Sequence, residues 1–193
     1  MFKVILIFLS LFLINPVKVN AQTNSYVSVV NPIRGGDFWE RSDEKPLTSA
    51  RGQADVLGKY NLSATWLIRF DAFEDGDVID LVKSLSKDEK GIFLEVTPTW
   101  ANAAGVKYHK SDNWHDAGSS FLSGYEREER IKLIDTTFKR FKQVFNYYPK
   151  SVGAWWIDSF SLGYMQQKYG ITGALIVSDQ YTTDNYQIWG QYF

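Results

Sequence analysis

The chain alternates short apolar runs with amphipathic helical patterns, and that alternation leaves it few folds to adopt. The runs are Tyr26–Val30 (YVSVV), Ala64–Phe70 (ATWLIRF), Gly91–Val96 (GIFLEV), Ser151–Asp158 (SVGAWWID) and Ala174–Val177. Between them, Pro46–Tyr60 opens with proline, and Asp77–Leu85 puts Val78, Leu81, Val82 and Leu85 on one face. A longer helix follows Ser123-x-x-Glu126, read as a capping box, with Ile131, Ile134, Phe138, Phe141 and Phe145 at spacings of three and four. Phe160–Tyr169 is a further helix, closed by Gly170. Nearly continuous apolar strands suit a parallel sheet covered on both faces, and strand–helix alternation gives right-handed crossovers. The expected fold is α/β, a partial (β/α) barrel of about five parallel strands. An open doubly wound sheet is the alternative. Sequential strand order supports the barrel, and a reversal such as 2-1-3-4-5 rejects it.

The first residues do not belong to this pattern. Lys3, the apolar stretch Val4–Ile14 and the small-residue site Val19-Asn20-Ala21 form a secretory signal pattern, so residues 1–21 are expected to be a leader and 22–193 one domain. The apolar stretch is short for a membrane span, and an uncleaved N-terminal anchor is the alternative reading. A secreted, periplasmic or cell-surface location follows from the leader, with no stable membrane span after its removal. The chain has 21 basic and 22 acidic side chains, with no basic surplus to suggest a nucleic-acid partner. Cysteine is absent, which removes disulfides, thiolate zinc sites and cysteine nucleophiles. With His109 and His115 as the two histidines, a metal site would draw mostly on carboxylates.

In parallel α/β folds a ligand lies beyond the carboxyl ends of the strands. Acids stand there after each run: Asp37, Asp71, Glu95, Asp158 and Asp179. Each has a structural reading as a helix cap, although capping does not account for Glu95 inside an apolar strand. Seven tryptophans make the chain rich in rings that either fill a core or stack on sugars. Glu95, Asp158 and Asp179 are the candidate catalytic carboxylates. Asp37, Trp39, Trp100, Trp155, Trp156, Asp184 and Trp189 are the candidate substrate-binding residues, and the partner expected is a poly- or oligosaccharide. A connection from Thr99 to Ser123, containing Trp100, His109, Trp114 and His115, is long enough to be a binding loop.

Four segments carry a family resemblance: VVNPIRGGDFW, GIFLEVTPTWA, YYPKSVGAWWIDSFSLGYMQQKYGI and ALIVSDQYTTDNYQIWG. Together they resemble the polysaccharide deacetylase (NodB homology) superfamily and the related glycoside hydrolase/deacetylase barrels, over essentially the whole chain after the leader. The resemblance implies a (β/α) barrel missing its last strands and a hydrolase acting on a glycan. Those deacetylases use a metal: an aspartate pair after the first strand supplies a base and a ligand, and two histidines at the third supply further ligands. Here Asp37 stands without an Asp-Asp pair, Glu95 and Thr99 stand where the histidines are expected, and Ala154-Trp155-Trp156 replaces an arginine–proline signature. No metal or other cofactor is assigned. Paired-carboxylate glycoside hydrolysis and glycan binding without catalysis remain the two competing readings.

Overall fold

The structure, a computed structural model, describes residues 26–38, 45–111 and 116–176. Its sheet contains β1 (Val30–Ile33), β2 (Thr65–Arg69), β3 (Glu89–Phe93), β4 (Ser151–Gly153) and β5 (Gly173–Leu175). All neighbouring pairs are parallel and the order is β1-β2-β3-β4-β5. This sequential order is the one a (β/α) barrel requires, and the five strands form a curled half-barrel. The helices are α1 (Pro46–Lys59), α2 (Gly76–Ser84), α3 (Pro98–Ala103), α4 (Ala117–Ser120), α5 (Arg127–Phe145) and α6 (Ser159–Tyr169). Among the described residues no helix is long and apolar enough to cross a membrane.

Side chains alternate across each strand, so the two faces can be read from register. Ile33, Trp66, Ile68, Ile92, Leu94, Val152 and Ala154 share one face and belong to a single buried cluster with the helices. Ala50, Ala54 and Leu57 of α1, Val78 and Val82 of α2, and Leu133, Ile134, Phe138 and Phe141 of α5 close that layer. The opposite face carries Pro32, Leu67, Gly91, Phe93 and Gly153. A Cβ added at Gly153 would lie 2.3 Å from Leu67 Cδ1, although β3 runs between the two strands. Flat neighbouring strands stand about 4.8 Å apart, so a leucine on β2 reaches β4 only when the sheet curls. The glycines on this inner face make the curl possible.

Several boundaries differ from the sequence reading for local reasons. β1 begins at Val30 and runs through Pro32, which pairs in register with Leu67. Proline is tolerated because β1 is an edge strand. β4 is three residues long, so Trp155, Trp156 and Asp158 follow the strand instead of lying in it. The helix read from Ser123 begins at Arg127, with Glu126 as N-cap and its backbone N–H donating to Glu129. Ser123 lies in a 3-10 turn, Leu122–Gly124. Gly170, with φ of 70°, ends α6 as expected, while Asn146, with φ of 64°, ends α5. The connection after β3 holds α3 and α4. The leader lies outside the described residues.

Candidate active-site mouth

The carboxyl ends of β1, β2 and β3 converge on one side chain, Arg69. It is the last residue of β2, is 2% exposed, and points to the inner face with Phe93 as its register partner. Its Nε donates to Asp71 Oδ1 at 2.7 Å, and Nη2 to Asp71 Oδ2 at 2.8 Å. Nη1 donates to Glu95 Oε2 at 2.7 Å, and Nη2 also reaches the main-chain oxygen of Asp37 at 2.8 Å. Burial alone would disfavour its charge, but the hydrogen bonds and charges of Asp71 and then Glu95 outweigh it and hold Arg69 more firmly protonated than usual.

Glu95 lies two residues beyond the end of β3 on the same inner face and is 7% exposed. It accepts from two arginines. Arg34 Nε donates to Oε2 at 2.9 Å and Nη2 to Oε1 at 3.3 Å, while Arg69 takes Oε2 from the other side. Burial raises its pKa, but Arg34 and then Arg69 pull it down further, so the carboxyl sits below the usual glutamate range.

The loop after β1 is locked to the same centre. Asp37 N–H donates to Asp71 Oδ2 at 2.9 Å. The Asp37 carboxylate accepts from Thr99 N–H at 3.0 Å and Thr99 Oγ1 at 2.8 Å, at the start of α3. The approach is close enough to need Gly35: a Cβ there would fall 2.5 Å from the Ala72 nitrogen. Aromatic rings surround the polar centre. The Arg34 guanidinium lies 5.4 Å from the Phe93 ring centre and 5.9 Å from that of Trp155, and Phe93 and Trp155 meet edge to face at 6.4 Å. Phe38, 49% exposed, stands 6.0 Å from the Arg69 guanidinium and 6.3 Å from the Tyr108 ring. Beside the mouth, a depression of about 580 Å³ is lined by Asp37, Asp71, Glu74, Asp75 and Asp77, with no basic side chain.

The residues singled out in the sequence therefore fall into distinct groups. Asp37 and Glu95 share the mouth with Asp71, and Trp155 borders it. Asp158 belongs to another network: it caps α6, with Oδ1 accepting from Ser161 N–H at 2.9 Å and Oδ2 from Ser161 Oγ at 2.7 Å. Arg130 adds a hydrogen bond to Asp158 at 3.1 Å and holds the carbonyls of Tyr125 and Ser123. The cap reading of Asp158 is thus the observed one. Trp100 is a core residue, against its expected role as a sugar platform. It is 0% exposed, stacks on Phe70 and donates its indole N–H to the Leu133 carbonyl at 2.9 Å. Trp156 is half-buried. Trp39, His115, Asp179, Asp184 and Trp189 lie outside the described residues. His109 is exposed, stacks on Tyr125 and has Nδ1 3.1 Å from the Gly118 carbonyl.

Two arginines were missed in the sequence. Arg69 interrupts the apolar run ATWLIRF as Glu95 interrupts GIFLEV, and both have the same parity on neighbouring strands. That coincidence was a readable signal for a buried ion pair. The metal set of the deacetylase superfamily does not fit these residues. Both Asp37 oxygens accept hydrogen bonds from Thr99, Asp71 is occupied by Arg69, and Glu95 by two arginines. A guanidinium already stands where the carboxylates converge, and among the described residues no three His, Asp or Glu side chains are placed to hold a metal ion.

No protein-family model matches the chain, and no curated protein does. Solved structures do. The Bc1960 peptidoglycan N-acetylglucosamine deacetylase matches at a TM-score of 0.50 and 12% identity, over 77% of this chain and 55% of that one. Peptidoglycan deacetylase PdaC from Bacillus subtilis matches at a TM-score of 0.47 and 15% identity, over 82% of this chain and 63% of that one. The chain thus spans little more than half of the first structure's length. At this identity the likeness is one of fold, and it agrees with the polysaccharide deacetylase resemblance read from the sequence.

Proposed function

We propose that this chain is an exported carbohydrate-active protein of the polysaccharide deacetylase fold that binds a poly- or oligosaccharide at the mouth of its half-barrel. The observation that carries the reading is the mouth itself. Trp155 borders Arg34, Phe38 lies by Arg69 and beside Tyr108, and Arg34, whose Nη1 has no hydrogen-bond partner among the described residues, has a side-chain exposure of 36%. Sugar C–H faces pack on such rings, while an arginine N–H and committed carboxylates supply directional polar contacts. The fold likeness to a peptidoglycan N-acetylglucosamine deacetylase supports an amino-sugar polymer as the first probe. The acid-lined depression beside the mouth favours neutral glycans over anionic ones. Export rests on the leader pattern of residues 1–21, and nucleic acid is excluded from the proposal on charge balance.

Binding fits these residues better than hydrolysis. A glycosidic general acid needs a carboxyl kept protonated near neutrality, whereas Glu95 is held ionised by two guanidinium groups. The test is a glycan panel assayed for binding by calorimetry and for acetate release and chain cleavage, with and without chelator. The proposal expects binding without turnover, and at least about a tenfold loss of affinity in Trp155→Ala, the scale of one lost aromatic platform. Chelator-sensitive acetate release would establish a metal hydrolase instead. Chelator-insensitive cleavage that disappears in Glu95→Gln would establish a glycosidase.

A further inference from the structure

Around Arg69 the oxygens form a cage of the kind that ordinarily holds an ion. Asp71 contributes both carboxylate oxygens at 2.7 and 2.8 Å, Glu95 contributes Oε2 at 2.7 Å, and Asp37 contributes its main-chain oxygen at 2.8 Å. These four oxygens come from three separate strand ends, and the guanidinium they enclose is 2% exposed. Three of them carry carboxylate charge, and an empty cage would leave Asp71 and Glu95 together with one counter-charge among the described residues, the Arg34 guanidinium on Glu95. Each would then favour protonation or a bound cation.

We infer that Arg69 is the mouth's built-in cation. Asp37, Asp71 and Glu95 form a cation cage whose occupant is the chain's own guanidinium, and the site is therefore complete without a metal. Arg69 acts as a positioning residue: it ties the β1 loop through the Asp37 carbonyl, the end of β2 through Asp71, and the end of β3 through Glu95. Glu95 in turn fixes Arg34 between Phe93 and Trp155. The inference holds whether or not a glycan binds the mouth, because it concerns the cage and not the rings.

One consequence separates this from an ordinary buried salt bridge. Removing the guanidinium side chain leaves an all-oxygen set with carboxylate charge, which suits hard cations such as calcium. The cage should also take back a free guanidinium ion. The experiment compares the full chain with its Arg69→Ala and Arg69→Lys variants by thermal melts and calorimetry. The probes are calcium chloride and low-millimolar guanidinium chloride, with sodium chloride matching ionic strength. Expected for the unsubstituted chain is no stoichiometric calcium binding and no rise in Tm. Arg69→Ala should melt lower and regain on the order of 5–10 °C when either cation is present at about a hundredfold excess over its Kd. Arg69→Lys should melt between the two and stay indifferent to calcium. If Arg69→Ala fails to fold alone, its refolding in calcium or guanidinium supports the cage, and failure in both overturns it. Calcium uptake by the unsubstituted chain or by Arg69→Lys also overturns it, as does an Arg69→Ala variant that folds but responds to neither cation beyond the sodium control.

Discussion

Replacing Gly153 and Gly91 by alanine tests how the half-barrel is curled. Both glycines face inward, and both are met by Leu67, which is 1% exposed. At Gly153 the new methyl would stand 2.3 Å from Leu67 Cδ1, with the Leu175 Cβ next at 3.3 Å. At Gly91 it would stand 2.7 Å from Leu67 Cδ2, but also 2.6 Å from the main-chain oxygen of Ser151. The first clash is with a movable side-chain tip and the second includes backbone. Overpacking a filled interior costs about 1–3 kcal/mol, so Gly153→Ala is placed within that range. Gly91→Ala is placed at or above about 3 kcal/mol, because β4 must move as a whole and it is held by only three paired residues.

A double-mutant cycle distinguishes the two. Leu67→Ala alone should cost about 2–5 kcal/mol through its cavity. Combined with Gly153→Ala, the methyl enters the space that the leucine left, and the pair should cost less than the sum by about 1–2 kcal/mol. Combined with Gly91→Ala, the Ser151 oxygen remains in the way and the costs should add. Urea melts give the free energies, and thermal melts should move by roughly 2–4 °C per kcal/mol for a domain of this size. Strict additivity at Gly153, or alanine at either glycine within about 0.5 kcal/mol of the unsubstituted chain, would refute the leucine-over-glycine account of the curl.

Two further outcomes follow from the charge networks. Glu95→Gln leaves Arg34 and Arg69 short of a buried partner and should cost about 3 kcal/mol in urea melts. Because the folded pKa of Glu95 is depressed, its stabilisation is present above the ordinary glutamate range and lost as pH falls through the folded value; Glu95→Gln should flatten that acid limb. Asp135 accepts from Tyr164 at 2.8 Å, Tyr169 at 2.6 Å and Lys168 at 2.7 Å, joining α5 to α6. Burial opposes its ionisation, but Lys168 and the two tyrosines hold its carboxyl below the usual range, so its contribution likewise fades only toward acid. With the pair largely in solvent, Asp135→Asn should cost no more than about 1 kcal/mol at neutral pH, read from the shift of the urea midpoint.

The order and type of the elements were legible because each depends on local pattern. Continuous apolar runs marked the parallel strands, and the spacing of Ile134, Phe138 and Phe141 marked the buried stripe of α5. Boundaries set by tertiary contact were not legible. Pro32 stays in the ladder because β1 has one neighbour, a fact of sheet order. β4 stops at Gly153 although the apolar run continues, because Trp155 turns to meet Phe93. The candidate site was half legible. Placing acids at strand ends anticipated that Asp37, Asp71 and Glu95 share one end of the sheet, yet a strand-end position does not reveal which partner an acid holds. Asp158 meets Ser161 three residues on, which the cap pattern anticipates, whereas the pairing of Glu95 with Arg34 spans 61 residues. Trp100 shows the same limit: its composition-level signal is common to a core ring and a sugar platform, and the Leu133 carbonyl decides for the core.

The lone charges in the apolar strands carry the strongest lesson about function. A glutamate inside a covered strand is costly unless it titrates for chemistry or finds a fixed counter-charge. These alternatives predict opposite pKa directions: a general acid is raised by burial without a partner, and a structural ion is lowered by one. Glu95 follows the second course, and its partner Arg69 is the corresponding lone charge on the neighbouring strand. A ring of acids at a barrel mouth therefore counts toward catalysis only after the arginines of matching parity have been subtracted. At this mouth the subtraction removes Asp71 and Glu95, Thr99 takes up Asp37, and among the described residues Phe38, Trp155 and the outer edge of Arg34 are left reaching solvent. Those are the groups on which the proposed glycan contact rests, and they are why the glycan assay is weighted toward binding.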